Sequence, residues 1–141
     1  MFSKILVPVD MSSPDPGVAS LPHARQMQDL WNSEVCLLSV VPGYSMPLVA
    51  NYFPQDALKK MEATVLSDLK KVAGKYFDKE PECMVRSGKR AAEILSMSED
   101  WGCDLIVFGC RPKDMVGGEL MLGSCGLAVS ERAKCSVLVA R

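Results

Sequence analysis

The feature that most constrains this chain is a run of four apolar residues, Leu105-Ile106-Val107-Phe108, closed by Asp104 on one side and Gly109 on the other. A strand with one wet face alternates apolar and polar residues. A run without that alternation needs cover on both faces. The same pattern recurs in Lys4-Ile5-Leu6-Val7-Pro8-Val9-Asp10, in Glu34-Val35-Cys36-Leu37-Leu38-Ser39-Val40-Val41 and in Ser136-Val137-Leu138-Val139-Ala140. Glu82-Cys83-Met84-Val85-Arg86 is a shorter and weaker run, ended by Gly88.

The segments between these runs carry the helical period instead. Leu21, Ala24, Met27 and Trp31 predict a helix from about residue 17 to 31, with Pro22 either in its first turn or bending it. Leu58, Met61, Val65, Leu69, Val72 and Tyr76 form one continuous stripe and predict a helix from about Gln55 to Phe77. Ala91 to Trp101 is expected as a third helix, with Ile94, Leu95, Ser98 and Trp101 toward the core and Gly102 as its stop. Ser124 to about Ala133 is expected as the fourth. Strand and helix thus alternate four times, and a fifth strand closes the chain. That order implies an α/β fold: an open parallel five-stranded sheet with helices on both faces and right-handed crossovers. At 141 residues, the chain is expected to form a single domain, 1–141.

Charge and composition exclude several classes. A formal net charge of -1 supplies no field for nucleic acid or an anionic membrane. No apolar run approaches the ~18 residues of a membrane span, and the N-terminus lacks the pattern of a signal peptide. A cytoplasmic protein, with neither nucleic acid nor membrane as partner, is the expectation. The six cysteines contain no C-x-x-C pair and the single histidine is His23, so no metal site is expected. Most of the cysteines lie in or beside apolar runs and read as small buried hydrophobes.

Catalytic templates find little to match. There is no G-x-S-x-G and no G-x-G-x-x-G, and His23 alone would have to serve any Ser-His or Cys-His pair. Gly118 and Gly123 have the glycine spacing of a Walker loop, but Ser124 follows where lysine should. What remains is an anion site at the carboxyl ends of the strands, where ligands bind in parallel α/β sheets. Gly109 is expected to turn the backbone sharply after its strand, Gly123 to permit close approach, and Ser124 to cap the last helix. Arg111 and Lys113 add local positive charge. Residues Pro42 to Pro54 form an unusually apolar, aromatic connection, expected to pack on the domain, on a partner or over a ligand.

Taken together, Lys4 to Asp10, Ser87-Gly88 with Ala91-Ala92-Glu93-Ile94-Leu95, Asp104 to Gly109, Leu122-Gly123-Ser124 and Ala133 to Arg141 resemble the universal stress protein family along the whole chain. The resemblance implies an adenine nucleotide alpha-hydrolase-like sheet of strand order 3-2-1-4-5, and a homodimer paired through the C-terminal edge strand. It implies ATP or a related adenine nucleotide as ligand, with Mg2+ accompanying the nucleotide, in a stress-response sensor or regulator without efficient catalysis. Pro8, Val9 and Asp10 would line the nucleoside side, with Asp10 accepting from ribose hydroxyls, and Val40 would sit near the base. Gly109, Gly123 and Ser124 would hold the phosphates, and Arg111 and Cys125 complete the nucleotide-binding set. ATP-binding members of the family carry G-x2-G-x9-G-[S/T]. Here Pro112 stands at the second glycine, and Gly109 and Gly123 are one residue further apart. Gly117 and Gly118 inside the loop offer N–H groups in place of the one that proline lacks. Two alternatives stay open. One is a dimeric interaction module of the same fold that has lost nucleotide binding and works through the apolar Pro42 to Pro54 segment, with Tyr52 and Phe53 as the side chains to substitute. The other is a redox switch at Cys110 and Cys125, where a helix start could lower a thiol pKa.

Overall fold

The computed structural model describes residues 1–43, 55–110, 115–116, 119–120 and 122–141. In chain order the elements are β1 (Lys4–Pro8), α1 (Leu21–Trp31), β2 (Glu34–Val41), α2 (Gln55–Tyr76), β3 (Glu82–Ser87), α3 (Arg90–Trp101), β4 (Leu105–Gly109), β5 (Met115–Val116), β6 (Glu119–Leu120), α4 (Gly123–Arg132) and β7 (Ser136–Ala140). Five strands form one parallel sheet in the order β3-β2-β1-β4-β7, which is the 3-2-1-4-5 arrangement the sequence implied. β5 and β6 make a separate antiparallel pair, Met115 opposite Leu120 and Val116 opposite Glu119. The sequence read that stretch as loop, since strands of two residues are too short to register a period.

The unbroken apolar runs are explained by the two faces of this sheet. Successive side chains of a strand point to opposite sides. Ile5, Val7, Val35, Leu37, Leu105 and Val107 pack on one side with Leu21 and Ala24 of α1 and Leu69, Val72 and Ala73 of α2. Leu6, Cys36, Leu38 and Ile106 pack on the other with Ile94 and Met97 of α3 and Val129 of α4. Truncating one of these fully buried side chains, Leu6 or Ile106, is expected to cost ~2–5 kcal/mol.

Most helix limits follow the sequence signals. Pro22 lies in the first turn of α1, where its missing N–H is not needed, so it does not bend the helix. α1 starts four residues later than expected, because Gly17 to Ser20 form turns that lead into it. Gly102, at φ 69, ends α3, its N–H donating to the carbonyls of Glu99 and Ser98. In α3, Met97 is buried with Ile94 and Ser98, while Leu95 and Trp101 are only half-buried. His23 is exposed on α1. No helix among the described residues is long and apolar enough to cross a membrane. Cys36, Cys103 and Cys110 are buried, the other three cysteines are intermediate, and all six are free.

Candidate functional site

β1 and β4 are neighbours in the centre of the sheet, and their carboxyl ends open on one cleft of about 240 Å³. From β1 come Pro8 and, just beyond it, Val9 and Asp10. β2 supplies Val40, and β4 supplies Gly109. Gly123, Ser124 and Cys125, the first residues of α4, close the far side. Eight of the nine residues singled out in the sequence therefore line one cavity. The ninth, Arg111, lies outside the described residues, as do Pro112, Lys113, Gly117, Gly118 and all of 44–54 with Tyr52 and Phe53.

A second cavity of about 840 Å³ adjoins the first, sharing Asp10, Val40, Ser124 and Cys125 with it. It extends toward Val41, Pro42 and the Gly88-Lys89 turn before α3. Its size falls in the range of small-molecule sites, roughly 300–1,000 Å³.

Asp10 is the polar centre of this region. One of its oxygens, Oδ1, accepts from the Ser12 backbone N–H at 3.0 Å and from the Ser12 hydroxyl at 2.6 Å. The other, Oδ2, faces the Arg90 guanidinium at 3.3 Å. Burial pulls the Asp10 carboxyl upward, but the Ser12 hydrogen bonds and Arg90 outweigh it, and the pKa lies below the usual carboxylate value. Asp10 thus stays ionised and pins the turn after β1 at the edge of the cleft.

Arg90 is a charged cavity-lining side chain that the sequence reading did not single out. It is the first residue of α3 and lines both cavities. A signal was present: a cation at a helix N-terminus opposes the helix dipole, so Lys89-Arg90 breaks the usual charge preference of a first turn. Local rules are broken most often at functional sites.

Two expectations about the loop glycines need correction. Gly109 does not turn the chain sharply. It is the last residue of β4, opposite Ala140, and its φ is not positive. Its missing Cβ matters for packing, because a methyl there would lie 3.1 Å from Ala19 Cβ and 3.3 Å from the Ser20 nitrogen. Ser124 does not cap the last helix. α4 begins one residue earlier, at Gly123 with φ 75, and the cap position is Leu122, which makes no side-chain cap bond. Ser124 therefore lies exposed in the first turn. Helix starts leave backbone N–H groups without intrahelical partners, and these attract anions.

The cysteine expectation also fails in part. Burial pushes the Cys125 thiol up, with the nearby Arg90 charge only offsetting this, so the helix start does not activate it. Cys110 is buried.

The comparisons with known proteins agree with this layout. A sequence model of the universal stress protein family matches residues 1–141, and the chain belongs to that family. Universal stress protein YxiE of Bacillus subtilis is 29% identical, over 100% of both chains. Among solved structures, that of the hypothetical protein MJ0577 superposes with a TM-score of 0.76 at 26% identity, covering 99% of this chain and 96% of the other. Three more distant structures were solved as complexes: a universal stress protein with cAMP (18% identical, TM-score 0.67, covering 99% of this chain and 97% of that one), one from Archaeoglobus fulgidus with dAMP (19%, 0.61, 99% and 98%) and one from Arabidopsis thaliana with AMP (17%, 0.60, 98% and 90%). At that distance they establish a common fold.

Proposed function

We propose that the cleft at the carboxyl ends of β1 and β4 binds ATP or a related adenine nucleotide, and that the protein acts as a stress-response sensor or regulator in the cytoplasm. The observation that carries this reading is the meeting of unlike surfaces in one cavity. Pro8, Val9 and Val40 offer apolar contact to a base, and Asp10 offers an acceptor edge to ribose hydroxyls. Gly123 and Ser124 offer the open N–H groups of a helix start to phosphate. The adenine nucleotides held by relatives of the same fold support the same ligand class.

Mg2+ would enter with the phosphates of the nucleotide, since hard cations commonly bind through substrate phosphates and one or two carboxylates. Without a lysine in a Walker position, the cradle favours holding the nucleotide over rapid phosphoryl transfer. A homodimer paired through β7 completes the proposal. β7 is the edge of the sheet, and an unpaired edge invites a second strand.

Calorimetry on nucleotide-stripped protein tests the ligand. Binding of ATP, ADP or AMP in the micromolar range is expected, and no heat at hundreds of micromolar ligand defeats the reading. Light scattering coupled to size exclusion tests the dimer, which a monomer at all concentrations would exclude.

A further inference from the structure

The geometry points to Arg90 as the phosphate anchor of the cleft, held by Asp10 when no ligand is present and shared between Asp10 and a phosphate when a nucleotide binds. This rests on the nucleotide reading above and adds a residue and a selectivity to it.

Four observations converge on Arg90. Among the described residues lining the smaller cavity it is the one cation, beside the carboxylates of Asp10 and Asp15. A phosphate entering that cavity would otherwise meet net negative charge. Next, its contact with Asp10 runs from Nη2 at 3.3 Å, and a guanidinium carries five N–H donors in a rigid fork. Its side chain is 49% exposed while that of Asp10 is 20% exposed, so the fork reaches from the carboxylate toward the open cavity. Its charge is also felt at Cys125, in the first turn of α4, which puts the guanidinium within electrostatic reach of the N–H groups proposed for phosphate. Finally, a cation at the start of α3 opposes the helix dipole, a local cost that an anionic ligand would remove.

The chemistry then divides along the cavity. Asp10 keeps Oδ1 committed to Ser12 and so does not move. Its Oδ2 orients the guanidinium, and the remaining N–H groups donate to phosphate oxygens in bidentate fashion, the geometry for which arginine is preferred over lysine. The arginine replaces in part the lysine that a Walker loop would have supplied. The ligand class is a nucleoside carrying at least one phosphate, not the bare nucleoside.

Isothermal titration of adenosine and AMP against the intact wild-type chain and Arg90→Gln separates the possibilities. The wild type should bind AMP roughly 10- to 100-fold more tightly than adenosine, the weight of one charge-assisted contact. In Arg90→Gln, AMP should fall to near the adenosine affinity, while adenosine binding stays within about twofold, the scale of a change that removes no contact to the nucleoside. Arg90→Lys should recover part of the AMP preference. If the wild type binds neither ligand, the nucleotide reading falls and this inference with it. If the wild type binds both and Arg90→Gln keeps the full AMP preference, the nucleotide reading stands and the role of Arg90 is overturned. Equal affinity of the wild-type protein for adenosine and AMP overturns it without any variant, so the test survives should Arg90→Gln fail to fold.

Discussion

Asp104 and Asp10 stand at opposite ends of the two central strands, and both carboxyls are held below their ordinary pKa. They differ in what holds them. For Asp104 burial pulls upward, but the backbone N–H groups of Ser3 and Lys4, at 2.8 and 2.9 Å, prevail. Around it the Lys4 ammonium lies 4.9 Å from the centre of the Trp101 ring, the Ser33 hydroxyl donates to the Phe2 carbonyl, and Cys103 meets Cys135 at 3.9 Å between sulfurs. The hydrogen bonds that hold the Asp104 carboxylate come from main-chain N–H groups. Asp10 instead shares its charge between a local turn and a guanidinium across a cavity. A carboxylate saturated by main-chain donors locks the fold. One balanced by a cation that also lines an open cavity keeps that cation within reach of a ligand.

The sharpest way to break this comparison is to remove each carboxylate in turn. Asp104→Ala should cost about 2–3 kcal/mol in urea denaturation, because two backbone donors lose a charged acceptor. Asp10→Ala should cost about 1 kcal/mol or less, yet weaken AMP binding more than Asp104→Ala does. Equal stability losses with equal binding losses would erase the distinction. Next in size, Gly109→Val should cost about 2 kcal/mol, since its branched side chain is driven against Ala19 and Ser20. The wall of the cavity should shift with it, lowering nucleotide affinity.

Gly123→Ala has no clash to make, since nothing lies within 4 Å of the added carbon. It should cost about 1 kcal/mol for the left-handed backbone alone, with the larger effect on binding. The smallest expected effect is in acid. Both carboxyls have native pKa values lowered from 3.8, so the unfolded chain binds protons more readily. Their stabilisation is complete above about pH 4 and fades as the pH falls through the native values. Wild type should therefore lose stability below pH 4 more steeply than Asp104→Ala. Parallel denaturation curves at pH 5 and pH 3 measure the difference.

Much of this was legible in the residues themselves. The unbroken runs at Leu105–Phe108 and Ile5–Val9 required two covered faces, and the two clusters that bury alternate residues of each strand are that cover. Gly109, Gly123 and Ser124 were legible because parallel sheets offer their carboxyl ends, whereas Pro8, Val9, Asp10 and Val40 were expected from the resemblance to the universal stress protein family. What escaped depended on approach in three dimensions. Arg90 is 80 residues from Asp10 in the chain, and no local period links them. The role of Gly109 escaped for the same reason: its neighbour Ala19 comes from a different crossover. Ser124 was misread by a single residue, since Gly-Ser starts helices in either register.

The central position of β1 has a consequence for how the chain is made. β1 is flanked on one side by β2, which follows within about thirty residues, and on the other by β4, whose lock through Asp104 to Lys4 spans 100 residues. At ribosomal speeds of about 5–20 residues per second, that second partner arrives roughly 5–20 s later. For that interval the nascent chain holds an apolar strand with one bare hydrogen-bonding edge. Productive folding waits on the C-terminal half, and a truncated product ending before residue 104 should aggregate rather than persist as a smaller folded unit.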